Sequence, residues 1–341
     1  MNTHLTPFGA AADRSAAPDR TSADAAVHVM ILMAVHEGAA TLEDQLESLS
    51  TQRHPNWSLL VSVDGAKDGS DRIIDAFAAR MAPRGHTVRR IAGPQAGSAR
   101  NFMHLTAAAA QYMTDETWLA FSDQDDVWLP ERISNGLETL LTGTAETPAL
   151  HCSRTWITDA QLGNRRLSVA RPRQPGFSNA LVQNIVAGNT ILLNPAGGQL
   201  ICAAAQETTM AGSFPVAHDW WIYQIVTGCG GWIAHDDRPA LFYRQHDANE
   251  VGANDGMRAK LRRIGMILDG TYRDWNRRNI QVLRISAHRF RPERRAMLEH
   301  FAAALDAPLA RRLRGLSDLG VYRQGRLSDL ALWVAAILGR L

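Results

Sequence analysis

Short apolar runs separated by amphipathic stretches dominate the first half of the chain. Residues 27–35, Val-His-Val-Met-Ile-Leu-Met-Ala-Val, are too few to cross a bilayer and suit a strand buried on both faces. Residues 57–63 predict a second strand, 87–91 a weaker third, and 118–121, Trp-Leu-Ala-Phe, a fourth. Between them the periodicity predicts helices over 41–49, 70–81 and 98–113, the first capped by Thr41 with Asp44 at capping-box spacing. A further helix follows Pro130, since proline fits a first turn where its missing N–H costs nothing. Strands and helices alternating at this spacing predict right-handed βαβ units and a mostly parallel sheet. After residue 150 the alternation loosens. Residues 149–156 and 185–193 are strand-like, 218–227 helical, and 232–243 predict a hairpin or strand pair.

Sheets of this kind bind ligands beyond the carboxyl ends of their strands. His36-Glu37, Asp64 and the segment Ser122-Asp-Gln-Asp-Asp-Val-Trp-Leu-Pro130 all fall there. Asp123, Asp125 and Asp126 repel one another unless a cation sits between them. A hard divalent ion, Mg²⁺ or Mn²⁺, suits such oxygen ligands and commonly bridges to phosphates. An isolated Asp-x-Asp is more often a solvated acidic turn; the strand-end position argues for a site here. The chain has no Gly-x-x-x-x-Gly-Lys-Ser/Thr phosphate loop, no Gly-x-Gly-x-x-Gly after the first strand and no Gly-x-Ser-x-Gly elbow. A diphosphate held by cation and backbone fits what remains.

Charge divides the chain. The formal net charge is only +2, yet residues 255–341 hold 18 Lys/Arg against 8 Asp/Glu, leaving 18 against 26 in the rest. Three parts are therefore expected: a disordered segment over 1–26, an α/β catalytic domain over 27–254, and a basic helical region over 255–341. Residues 330–338 form an apolar stretch between Arg326 and Arg340, too short to span but suited either to a bilayer interface or to a helix docked on the core. Cys152, Cys202 and Cys229 are odd in number and read as free thiols of a reducing compartment. With no secretory signal visible, a cytoplasmic location is expected, with peripheral contact at the inner membrane face.

Taken in order, several segments resemble the family 2 glycosyltransferases of GT-A fold, rhamnosyltransferase-like members above all. They are Met33-Ala-Val-His-Glu-Gly38, Ser62-Val-Asp-Gly-Ala-Lys-Asp-Gly-Ser70, Gly97-Ser-Ala-Arg-Asn101, Phe121 through Pro130, Ala187-Gly-Asn-Thr190, His218-Asp-Trp-Trp221 and Tyr243-Arg-Gln-His246. The resemblance implies a GT-A α/β fold with a helical C-terminal extension and an inverting, metal-dependent transfer of a sugar, plausibly rhamnose, from a dTDP- or UDP-sugar to a surface polysaccharide or lipid-linked glycan, with no nucleic-acid partner. It implies that Val35, His36, Glu37, Asp64, Arg100 and Asp123 meet the nucleotide. Asp125 and His246 would ligate the metal, and Asp219 would act as general base. Asp126, Asn189, Trp220, Trp221 and Arg244 would lie on the substrate side. The chain departs from the family where Tyr-Asn is replaced by His36-Glu37 and Asp-Asp by Val63-Asp64, and where Ala66-Lys67 replace a hydroxyl pair. Two alternatives are a sugar-phosphate nucleotidyltransferase and a non-catalytic nucleotide- or glycan-binding relative.

Overall fold

The computed structural model of the chain describes residues 26–245 and 270–341. Its strands are β1 (Val29–Val35), β2 (Trp57–Val63), β3 (Val88–Ala92), β4 (Trp118–Ser122), β5 (Val127–Trp128), β6 (Ala149–Thr158), β7 (Arg166–Leu167), β8 (Leu192–Leu193) and β9 (Trp232–Arg244). They form one sheet in the order β3-β2-β1-β4-β8-β6-β9-β5, with β7 paired to β6. The first four positions in that order are parallel, as expected. The other half is mixed: β8 runs antiparallel to both β4 and β6, β9 runs parallel to β6, and β5 antiparallel to β9.

Alternate residues of β1 feed two different cores, which is why the strand reads as continuously apolar. Val29, Ile31, Met33 and Val35 face α1 (Leu42–Ser50), α2 (Ser70–Met81) and α4 (Arg132–Leu140) through Leu46, Phe77 and Leu137. Met30 and Leu32 face the opposite side, where α3 (Ser98–Ala109), α6 (Pro195–Met210) and α7 (His218–Gly228) supply Leu105, Ile201 and Ile222; the short α5 (Phe177–Ala180) adds Phe177. That second core continues without a break into the C-terminal helices α8 (Thr271–Ser286), α9 (Pro292–Asp306), α10 (Leu309–Asp318) and α11 (Arg326–Ile337), through Leu283, Phe301, Leu316 and Leu332. The basic helices are therefore packed on the α/β part through α6 and α7. This is the α/β architecture with a helical C-terminal extension that the GT-A resemblance implied.

Three expectations are corrected and one helix is added. Residues 232–243 are not a hairpin but most of one long strand, in which Pro239 sits at an irregularity of the β6–β9 register, where a missing N–H breaks no ladder bond. Only Leu192–Leu193 of the 185–193 stretch is strand; Gly188–Thr190 is a 3₁₀ turn. Helix α6 went unexpected, although Asn194 caps it by accepting from Gly197 N–H at 2.9 Å and Pro195 opens it. Asp44 does not close a capping box: Thr41 makes no cap bond, and Asp44 accepts from Arg244 at 2.8 Å. Among the described residues no helix is long and apolar enough to cross a membrane.

Candidate active site

β1, β2 and β4 all end at one edge, and the loops there carry the polar residues the sequence singled out. Val35 is buried, and its carbonyl accepts from Asp64 N–H at 2.7 Å, which ties the two strand ends together. His36 and Glu37 are exposed. Gln124 clamps the His36 backbone from both sides, accepting from its N–H at 2.8 Å and donating to its carbonyl at 3.0 Å. A Cβ on Gly38 would lie 2.7 Å from the Gln124 side chain, so only glycine admits this approach. The His36 Nδ1 meets the Asp64 carbonyl at 2.8 Å. The Asp64 carboxylate is buried and accepts from the backbone N–H groups of Gln95, Ala96 (3.3 Å) and Gly97 (3.2 Å), which orders the loop leading into α3.

Arg100, in the first turn of α3, is exposed, and its guanidinium stands 4.9 Å from the Phe214 ring centroid. It lines an open cleft of about 400 Å³ with Phe214, Asp274, Arg277 and Arg278. That basic cleft, with its two arginines from α8, could not be foreseen from the local sequence.

The acidic segment lies between β4 and β5. Asp123, Asp125 and Asp126 bring one carboxylate oxygen each to within 4.8 Å of one another, the one such cluster among the described residues. Asp126 is fully buried, so it does not face a substrate as expected. Its Oδ2 accepts from Asn189 Nδ2 at 2.6 Å, and its Oδ1 has no protein partner. Burial, with repulsion from Asp123 and Asp125, pushes the Asp126 carboxyl well above the usual range. Three converging carboxylates with an orphaned buried oxygen fit a hard divalent cation, which would reverse that shift.

Arg132 answers part of this charge from beneath. It is 3% exposed, stacks over the Trp128 ring at 3.3 Å and donates to the carbonyls of Phe121 (2.8 Å) and Asn189 (2.6 Å). Burial pulls its pKa down while Asp126 and Asp123 raise it; a guanidinium keeps its proton in proteins, so it serves as the buried counter-charge. Sequence reasoning passed it over, because nothing local marks an arginine two residues after Pro130 as buried. Arg244 is likewise a clamp and not a substrate contact. Its Nε donates to the Asp125 carbonyl (3.0 Å), one terminal nitrogen to the Ala160 carbonyl (2.7 Å) and the other to Asp44 (2.8 Å).

Asp219 begins α7 and accepts from Trp220 N–H at 2.7 Å. Burial raises its carboxyl to about 6, against hydrogen bonds from Asn184 and from the N–H groups of Trp220 and Gly188. His218 beside it stacks on Phe102 (3.8 Å between centroids), and burial drops its pKa to about 3, so it is a neutral packing group. A Cβ on Gly188 would lie 2.8 Å from the His218 ring and 3.3 Å from Asp219 Cβ. Residues 188 and 189 thus lie between the two acidic centres: Gly188 packs against Asp219, and Asn189 donates to Asp126. Trp220 and Trp221 are 5% and 1% exposed and offer no face to a sugar, a third correction on the substrate side after Asp126 and Arg244; Asn189, also expected there, is buried against Asp126. Trp220 Nε1 donates to the Ala180 carbonyl at 2.7 Å, holding α7 to α5. His246 lies outside the described residues.

Residues 30–183 match the model described as glycosyl transferase family 2. Over 250 residues the chain is 25% identical to the dTDP-rhamnosyl transferase RfbG of Shigella flexneri, an alignment covering 71% of this chain and 81% of that protein. It is also 27% identical over 105 residues to the putative glycosyltransferase EpsE of Bacillus subtilis, covering 31% and 35% of the two chains. Among solved structures, S. aureus TarS 1-349 in complex with UDP-GlcNAc is similar at a TM-score of 0.47 and 12% identity, over 86% of this chain and 80% of that one. The mannosyltransferase PcManGT from Pyrobaculum calidifontis, in complex with GDP-Man and Mn²⁺, gives 0.44 and 15%, over 93% and 88%.

Proposed function

We propose, from the premise that this chain is a glycosyltransferase carrying a family 2 domain over residues 30–183, that it moves a deoxyhexose from a dTDP-sugar to a glycan hydroxyl with inversion. The observation that carries the reading is the bridge of Gly188 and Asn189 between a three-carboxylate cluster and a separate carboxylate raised to about 6. The two centres have the chemistry of two different tasks.

Asp123, Asp125 and Asp126 would hold Mg²⁺ or Mn²⁺, with Asp126 anchored by Asn189 and backed by Arg132. When bound, such a cation neutralises charge on a nucleoside diphosphate leaving group. Asp219 takes the proton of the acceptor hydroxyl as that oxygen attacks the anomeric carbon. A carboxylate near 6 is ionised at neutral pH yet basic enough to accept a proton in the transition state. Displacement by an acceptor on the face opposite the leaving group inverts the anomeric centre. A base entering above β1 and β2 would meet His36 and the carbonyl of Val35, and the Asp64 carboxylate, already engaged by three backbone amides, would act by fixing the loop to α3. Arg100 then contacts the diphosphate or the acceptor from its cleft. The dTDP donor and rhamnose rest on the likeness to RfbG, and the acceptor is a polysaccharide or lipid-linked glycan.

Thermal stabilisation by dTDP, UDP and GDP, each with and without Mn²⁺ or Mg²⁺, is the test. A ligand at a hundred times its Kd stabilises by about 2.7 kcal/mol, so the right pair stands out. No stabilisation by any nucleotide with either metal sinks the reading.

A further inference from the structure

Helix α11 has apolar residues on two sides. Leu332, Ala335 and Ala336 are buried in the core shared with the sheet. On the other side Leu327 is 77% exposed, Leu330 61%, Val334 43%, and Ile337 and Leu338 52% each. Spacings of three, four and three residues set these side chains in one stripe. Four of the ten exposed large apolar side chains among the described residues thus stand on one 12-residue helix, with a fifth, Leu338, at its C-cap, a concentration unlike the single apolar residues normal on a protein surface. Leu309, which opens the neighbouring α10, is exposed as well.

The exposed charges around the stripe are predominantly positive. Arg326 and Arg340 stand exposed at its two ends, and α10 presents Arg311 and Arg314. Asp329, the one acid on α11, is turned to the protein, where it accepts from Arg323 N–H at 2.7 Å and pairs with Arg173. On α10, Asp318 approaches Arg314 only at 3.9 Å.

We propose that this face of α11 lies in the headgroup–acyl boundary of an anionic lipid bilayer, its axis along the membrane plane. Surface helices bind there by burying an apolar stripe while flanking cations meet lipid phosphates. The length of the helix excludes spanning, and its buried side fixes it to the catalytic part, so insertion is shallow. A second copy of the chain is the less suitable occupant, because a symmetric pairing sets the same arginine-rimmed stripe against itself. The docking is independent of the sugar chemistry and stands or falls without it.

The full-length chain is co-sedimented with vesicles of phosphatidylcholine alone or mixed equally with phosphatidylglycerol, across a salt series. The unaltered protein pellets with the anionic vesicles and is released by salt. Leu327→Gln/Leu330→Gln/Ile337→Gln/Leu338→Gln, all at exposed positions, weakens binding at least tenfold with an unchanged melting temperature. Arg326→Glu/Arg340→Glu, which leaves every apolar contact intact, weakens it about twentyfold or more, since each nearby arginine is worth about fivefold. Failure of the unaltered protein to pellet at low salt overturns the proposal, whether or not the chain self-associates through the stripe. So does equal pelleting of both variants and the parent.

Discussion

Replacing Asp219 by asparagine should inactivate the protein and make it more stable, in a pH-dependent way. Burial holds the Asp219 carboxyl at about 6 against an ordinary 3.8, and at 1.36 kcal/mol for each pH unit that is about 3 kcal/mol of ionisation penalty. The folded value lies above the unfolded one. The penalty is therefore absent below about pH 4, where both states are protonated; it grows as pH rises to 6 and is constant above. An asparagine carries none of it. The amide loses part of the gain, about 1 kcal/mol, because its NH₂ can face the N–H groups of Trp220 and Gly188. A net gain of about 1–2 kcal/mol at pH 7.5 raises Tm by roughly 1–3 °C for a chain of this size, and the gain vanishes near pH 4. Turnover of the variant falls by roughly 10²–10⁴, while turnover of the parent rises about tenfold for each pH unit below 6 and then levels. Differential scanning fluorimetry of both proteins from pH 4 to 8 decides the matter. An equal Tm difference at pH 4.5 and 7.5, or an asparagine variant less stable at pH 7.5, refutes the account of Asp219 as a buried, strained base.

Asp125→Ala removes one of three converging carboxylates, so calorimetric titration should show nucleotide affinity that no longer responds to Mn²⁺ or Mg²⁺; an unchanged metal response would assign the cation elsewhere. Arg132→Lys leaves the carbonyls of Phe121 and Asn189 and the charge of Asp126 poorly matched, so urea unfolding should show a loss of about 3–5 kcal/mol. Asn189→Ala strips the donor from buried Asp126 and should cost about 1–3 kcal/mol together with weaker metal-dependent nucleotide binding, a joint effect that a purely structural asparagine would not produce.

The strand ends were legible because burial on both faces leaves an unbroken apolar run: β1, β2 and β4 lie within two residues of their expected bounds. Helices α1, α2 and α7 were equally plain in the periodicity. The stretch leading into α6 hid its helix behind Gly197-Gly198, two residues that lower helix propensity, where the cap and the proline before them were the better signal. The expected hairpin or strand pair over 232–243 is one strand, because β9 absorbs Pro239 at a register shift. The acidic cluster could be found by its spacing. Its supports could not. Arg132, Arg244 and Gln124 act through backbone carbonyls and amides of remote segments, and pattern reading records side-chain identity along the chain, not which distant carbonyl a side chain will reach. Trp220 and Trp221 erred in the other direction: adjacency to Asp219 suggested a sugar platform, whereas Trp221 packs into the second core and Trp220 is buried with its Nε1 donating to the Ala180 carbonyl.

Strand β9 has a consequence for how the molecule is made. Residues 127–128 have no strand neighbour until β9 pairs with them, and the Asp125 carbonyl waits for Arg244, 119 residues further along. At a synthesis rate of roughly 5–20 residues per second the acidic segment leaves the ribosome about ten seconds before its clamp. During that interval three carboxylates sit at the rim of an open sheet with no strand to close them, and the four-strand parallel unit can form while the site cannot. The order of synthesis therefore separates folding of the parallel half from assembly of the acidic centre, and a nascent chain released before residue 244 would be folded only in part, its acidic segment unclamped.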